Sequence, residues 1–386
     1  KPVYQLLLLG IVQPVAYFIF ENYGILYTSS AVAGTIIAAV PVCCILMDVL
    51  VLHEKVTLKQ VLCAVCAIGG VALISAGGAG MVSALGMLFL LLTGGEPLIR
   101  KDFRYLLTEL KKMGLLVSVN SNGSLIDRDW LDFFRHEPPF RFNITLYGAS
   151  DAAYERLCGR PMFARVTENI RALRELGVEV KLNVSMTPYN VADMAEIYRI
   201  AQELGTPMQL ATYMFPPIRR DEALVGSNDR FTACQAAEYS VQWDRLRLTP
   251  EQFRQRAQAM KQGLALPSED DVCDGTPGEG VACRAGRSAF WINWQGGMTP
   301  CGMMTQPLFS VPELGFAQAW ERTRAATERI RLPGACAGCR LKEICHACAA
   351  MCVTETGHFD TKPEYVCEMT HETVRRTIEE AENGNS

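Results

Sequence analysis

Charge is nearly absent from the first 92 residues. Of the 37 Lys or Arg and 41 Asp or Glu in this 386-residue chain, only Lys1, Glu21, Asp48, Glu54, Lys55 and Lys59 fall there. Such a stretch is not an ordinary soluble domain, in which about a quarter of residues are charged. The rest of the chain does reach about a quarter. An excess of basic charge is also absent. A net charge of −4 gives no footing for a nucleic-acid partner. A lone apolar leader is excluded as well, because the head carries three apolar runs, 4–20, 29–52 and 58–77, where a secretory signal has one.

Each run is long enough to cross about 30 Å of hydrocarbon. Buried core helices are the competing reading, but three such runs in succession are rare in soluble folds. Lys55 and Lys59 lie in the polar break HEKVTLKQ, which places that loop on the cytoplasmic side. Ala31, Pro41, Glu54-Lys55-Val56-Thr57 and Gly69-Gly70 together resemble the EamA-type drug/metabolite transporters over about residues 3–80. The resemblance implies an all-α transmembrane segment of about three helices with the lipid bilayer as partner. That is only a fraction of such a transporter, so Glu21 and Asp48 are read as residual features rather than a transport site.

The body opens with GMLFLLL at 86–92, too short to span a membrane and bounded by the turn Thr93-Gly94-Gly95-Glu96-Pro97. It reads as a buried parallel strand. Alternation follows: helix 102–113, strand 115–119, helix 127–134, strand 141–146, helix 166–176, strand 179–186, helix 191–204 and strand 208–214. Gly114, Gly177 and Gly205 close three of the helices. The pattern predicts an α/β fold with a parallel sheet of five strands. Ligands in such folds sit at the strand carboxyl ends. There Gly94 and Gly95 allow close backbone approach, and Glu96 offers a carboxylate to an ammonium group.

Cysteines are the densest chemical signal. Five lie within 336–352, CAGCRLKEICHACAAMC, with Cys283 and Cys301 upstream and Cys367 downstream. Such a group binds iron–sulfur clusters or zinc, or forms disulfides. Zinc at Cys336, Cys339, Cys345 and Cys348 is the main competing reading. His346 is read as solvated, Cys158 and Cys234 as structural, and Cys63 and Cys66 as apolar packing.

LTGGEPLIRKDF, VNSNGSLI and FNITLYGASDAAYERLCG, in this order, resemble the radical S-adenosylmethionine (radical SAM) enzymes. The cysteine-rich end resembles their SPASM extension, and together they cover about residues 83–372. The resemblance implies a partial (β/α)6 barrel over 83–265, lacking its first strand and cluster loop. It also implies a SPASM iron–sulfur domain over 270–375, before a polar tail at 376–386. In the family the GGEP loop, here Gly94, Gly95, Glu96 and Pro97, holds the amino group of S-adenosylmethionine. Thr145 and Asn183 match positions that contact its ribose and carboxylate. Cys283, Gly296, Cys301, Cys336, Cys339, Cys345 and Cys367 match the extension's pattern. Cys348 and Cys352 both compete for its sixth ligand. By analogy Cys336, Cys339, Cys345 and Cys367 hold one auxiliary [4Fe–4S] cluster. Cys283, Cys301 and either Cys348 or Cys352 hold another, with Cys273 a candidate fourth ligand. Such enzymes modify peptide or protein side chains and draw electrons from a donor such as ferredoxin or flavodoxin.

One motif is missing. The cluster that opens radical SAM chemistry is bound by Cys-x3-Cys-x2-Cys after the first strand, and no such spacing occurs in this chain. Cys345-x2-Cys348-x3-Cys352 has the spacings reversed. Transporter-like spans stand in its place, joined near 77–83. The predicted topology would also carry the body outside the cytoplasm, whereas reduced thiolates belong in the cytosol. These conflicts lead to the expectation of a chimera, by gene rearrangement or assembly error, that does not cleave S-adenosylmethionine. A transporter fragment and a non-catalytic iron–sulfur electron carrier are the alternative functions.

Overall fold

A computed structural model describes residues 89–265 and 278–383. The three expected membrane spans and Cys273 lie outside the described residues. No helix among the described residues is long and apolar enough to cross a membrane.

Five strands form one parallel sheet: β1 Phe89–Leu92, β2 Leu116–Ser121, β3 Arg141–Thr145, β4 Val180–Ser185 and β5 Met208–Ala211, in the order β1-β2-β3-β4-β5. Burial follows that order. The central β2 and β3 are buried almost continuously, whereas the edge strands β1 and β5 alternate between half-buried and exposed positions. Strand β1, expected from its apolar run to be buried, is instead an edge strand with Phe89 61% and Leu91 43% exposed.

The first helices are α1 Phe103–Lys112, α2 Arg128–His136, α3 Asp151–Cys158, α4 Phe163–Glu175 and α5 Met194–Glu203. Three of them end in the same way. The amide of Gly177 bonds the Arg174 carbonyl (2.8 Å), and that of Val178 bonds the Leu173 carbonyl (3.0 Å). Gly114 with Leu115 and Gly205 with Thr206 repeat the pattern at the ends of α1 and α5. These Schellman closures need a left-handed residue, which glycine supplies without Cβ strain. Helix α3 was not anticipated from the sequence. Its signals are local: the Ser150 hydroxyl accepts from the Ala153 amide (3.2 Å), and Gly159 stops it in a left-handed conformation.

The described chain divides into two compact units, 89–120 with 128–142, and 121–127 with 143–383. The first packs Phe103 of α1 and Trp130 and Phe134 of α2 over Phe142, with Arg104 stacked on Trp130 at 4.6 Å. The second buries Ile144, Ile170, Leu173, Leu182, Met186 and Ile197. It continues through α6 Ala233–Arg247 and α7 Pro250–Ala265 into a small antiparallel sheet of β6 Trp291–Ile292, β7 Gly297–Thr299 and β8 Phe309–Ser310. Helices α8 Val311–Leu314, α9 Phe316–Thr327, α10 Gly334–Ala337, α11 Ala349–Thr356 and α12 Glu364–Asn383 complete it, α12 packing along α6 and α7.

A buried ion pair ties the β5 exit to this extension. Arg230 grips Glu355 of α11 through two parallel bonds of 2.7 and 2.8 Å, with side chains only 6% and 5% exposed. Arg230 also bonds the Met214 carbonyl (2.7 Å) and stacks at 3.7 Å over the Tyr365 ring of α12. Tyr213 donates to the same carboxylate at 2.7 Å. Its phenol is held well above the ordinary tyrosine range by burial and then by that carboxylate. Removing one partner would strand a buried charge. Arg230→Met is therefore expected to destabilise the fold by about 3–5 kcal/mol, with the double variant Arg230→Met/Glu355→Leu recovering much of it. Denaturant unfolding of the single and double variants checks this, and a single-variant loss below about 1 kcal/mol contradicts it.

Candidate functional site

The loop after β1 turns on glycine. Gly94 has φ +153°, and a Cβ added at Gly94 or Gly95 would meet nothing within 4 Å. Both glycines are exposed, so two bare peptide groups face open space. Glu96 caps the short 3-10 turn Pro97–Ile99, its Oε1 accepting from the Leu98 amide at 3.3 Å. Pro97 and Leu98 are buried beneath it and fix the loop.

The loops after β2, β3 and β4 are held by side-chain-to-backbone bonds. Ser121 Oγ accepts from the Gly123 amide (3.0 Å), and buried Asn169 of α4 donates to the Gly123 carbonyl (2.8 Å). Asn190, 2% exposed, accepts from the Thr187 amide (2.8 Å) and donates to the carbonyls of Tyr147 (3.0 Å) and Ser185 (3.1 Å). Asp193 accepts from the Ala149 amide at 3.0 Å. A Cβ on Gly148 would lie 2.5 Å from Cβ of Ala153, so that position has room only for glycine. Together these bonds lock the Tyr147–Ala149 turn to the Thr187–Asn190 turn. Sequence reasoning did not single out Asn169, Asn190 or Asp193, because one polar residue in a turn carries no spacing signal.

Of the two strand positions proposed from the sequence, Thr145 is the last residue of β3 and Asn183 lies inside β4, paired with Gln209. Both are half-buried, and the Asn183 carbonyl accepts from the Leu146 amide at 3.1 Å.

The cysteines separate into groups. Cys336 of α10, Cys339, Cys345 and Cys367 of α12 line one cavity of about 120 Å³. Lys342, Lys362, Thr370 and His371 share its wall. Burial pushes the Cys336 thiol up to about 11, and the neighbouring Cys345, Cys339 and Cys367 add to this. Burial raises Cys367 too, against the opposing charge of Lys362.

Cys348 stands at the N-cap of α11 and packs with Cys301 against Met304, Ile330, Ala349 and Ala350. Its thiol is raised by burial first and then by Cys301 and the exposed Cys283. Cys352, one turn along α11, is 2% exposed. Burial, then Cys336 and Cys348, push its thiol up to about 12.

Among the described residues no three His, Cys, Asp or Glu side chains converge closely enough to share one metal ion. A single zinc needs its sulfurs drawn in to about 2.3 Å. Four cysteines lining one cavity are the donor set that an iron–sulfur cluster would take.

Residues 82–201 match the radical SAM superfamily, and residues 1–76 match the EamA-like transporter family. The AdoMet-dependent heme synthase of Methanosarcina barkeri is 25% identical over 294 residues, covering 74% of this chain and 83% of its own. A GTP 3',8-cyclase of Rhizobium leguminosarum bv. trifolii is 33% identical over 128 residues, covering 32% of this chain and 36% of its own. Among solved structures, anSMEcpe with bound AdoMet superposes with a TM-score of 0.53 at 15% identity, covering 77% of this chain and 82% of its own. Streptococcus suis SuiB bound to S-adenosylmethionine gives 0.50 at 15% identity, covering 72% and 66%. At such identities these two structures speak for the fold alone, a parallel α/β sheet with an extension. Over residues 82–201 the chain is therefore similar to the radical SAM superfamily, and it shares the parallel α/β fold of the two solved structures.

Proposed function

We propose that the body of this chain is a radical SAM/SPASM protein whose extension holds two [4Fe–4S] clusters, one on Cys336, Cys339, Cys345 and Cys367. The observation that carries this reading is the single cavity lined by those four cysteines, drawn from α10, α12 and the turns between α10 and α11. Cys283, Cys301 and Cys348 form the second set. The packing of Cys348 beside Cys301 favours it over Cys352 as the third ligand. Cys273 remains the proposed fourth. Clusters of this kind supply low-potential one-electron transfer. The protein's part is to hold four thiolates apart at fixed positions and to exclude water on the apolar side. In the domain, Gly94, Gly95, Glu96 and Pro97 are proposed to receive the amino group of S-adenosylmethionine, with the open backbone of the two glycines and the Glu96 carboxylate as its partners. Thr145 and Asn183 are proposed as further contacts.

The proposed substrate is a peptide or protein side chain, a reading supported by the structural neighbour SuiB, which is solved bound to precursor peptide SuiA. A heme-forming substrate is the second reading. It is favoured by relatives named AdoMet-dependent heme synthase that match over 83% and 77% of their own lengths. The two family matches meet between residues 76 and 82, which supports a join of a transporter fragment, 1–80, to a body of 83–265, 270–375 and a tail of 376–386. Genomic DNA across the codons for 77–83 tests the join. A Cys-x3-Cys-x2-Cys upstream of the body in an uninterrupted copy is expected, and a native, continuous transporter-to-body transcript argues against an assembly error.

Iron and sulfide quantitation on the anaerobically reconstituted full chain is expected to give about eight irons, with Cys336→Ala and Cys301→Ala each losing about four. Zero or one metal per chain contradicts two clusters. Thiols must lose protons to bind iron, and burial holds those of Cys336, Cys348 and Cys367 above their ordinary value. Iron uptake is therefore expected to strengthen from pH 6.5 to pH 8.5, each bound thiol releasing a proton. Lacking Cys-x3-Cys-x2-Cys, the reconstituted chain is expected to form no 5′-deoxyadenosine from S-adenosylmethionine. Detection of that product by chromatography overturns this expectation.

A further inference from the structure

The cavity lined by Cys336, Cys339, Cys345 and Cys367 is apolar on most of its wall, with Glu279, Lys342, Lys362, Thr370 and His371 as its polar lining. Thr370, buried on α12, has its hydroxyl 3.5 Å from Cys345 Sγ and 2.9 Å from the Val366 carbonyl. One proton serves both acceptors. A metal-bound thiolate is the stronger of the two, because bonds to an ionised acceptor are about twice as strong as neutral ones. Lys362, half-buried on the segment leading into α12, lines the same cavity, and its ammonium lies within electrostatic reach of Cys336 and Cys367. Two ion pairs border the cavity. Glu279 bonds Lys342 at 2.6 Å, and Glu364, 77% exposed, meets Lys362 at 3.1 Å. Glu364 opposes Lys362 at Cys367, but at 77% exposed its charge is screened by solvent more than that of Lys362, 39% exposed.

We infer that Lys362 and Thr370 are positioning residues that raise the reduction potential of the cluster held by these four cysteines, an inference that rests on the reading just proposed. Taking up one electron adds one negative charge to the cluster. A fixed cation and an O–H donor stabilise the reduced form more than the oxidised form. Hydrogen bonds to sulfur, net charge and exposure are the terms that set such potentials. Cys301 and Cys348 of the other proposed cluster pack against Met304, Ile330, Ala349 and Ala350. That cluster serves as an internal reference within the same molecule.

The test is a redox titration of the anaerobically reconstituted full chain, poised with dithionite and mediators and read by electron paramagnetic resonance. Cys336→Ala assigns the signal of this cluster by removing it. At a fixed potential, Lys362→Gln and Thr370→Val should each lower the reduced-to-oxidised ratio of that signal about fivefold. Thr370→Ser should keep the ratio, and the signal of the other cluster should stay put. Unchanged ratios in both variants, or equal shifts of both signals, overturn the inference while leaving the cluster reading intact. Absence of iron in the unsubstituted chain overturns the cluster reading itself, and this inference with it.

Discussion

Arg230 and Glu355 form the contact on which the arrangement of the extension depends. The pair is bidentate, buried and 125 residues long in sequence separation. It fixes α11, which begins at Cys348, to the segment leaving β5. Through the Tyr365 ring it also fixes the first turn of α12, which carries Cys367. One cysteine of each proposed cluster is therefore positioned by the same guanidinium. The Gly226 amide, bonded to the Thr354 carbonyl at 2.9 Å, and the Tyr365 hydroxyl, bonded to the Phe231 carbonyl at 2.8 Å, close the junction on either side. A buried pair of this kind contributes little net stability against an apolar substitute, but it admits only one register of the packed elements.

The sheet and its helices were legible from sequence because their signals are local and repeated. Strand runs at 86–92, 141–146 and 179–186 stand between helices that end in Gly114, Gly177 and Gly205, and all five strands appear where the alternation places them. The ends moved by a few residues. Strand β5 ends at Ala211, short of Met214, because that segment leaves the sheet to make the Tyr213 and Arg230 contacts. Helix α3 was missed because it is short and its cap is a single serine.

The site was legible in part. The grouping of Cys336, Cys339, Cys345 and Cys367 came from spacing matched to a family pattern, and one cavity gathers them. The choice between Cys348 and Cys352 was not legible, since both lie near enough to the third position of the pattern. Helix geometry supports the proposal of Cys348, which caps α11 beside Cys301, whereas Cys352 lies a turn further along and is buried. The bonds of Asn190 and Asp193 were invisible for a different reason. They join turns that are distant in sequence, and no periodicity marks them.

Burial of two of the cysteine thiols governs their reactivity. Attack on an alkylating agent, peroxide or disulfide requires the thiolate. With Cys336 raised to about 11 and Cys352 to about 12, only a minute fraction of either is ionised at neutral pH. Cys336 and its neighbour Cys352 are thus chemically quiet toward such reagents at neutral pH and resist entry into disulfides.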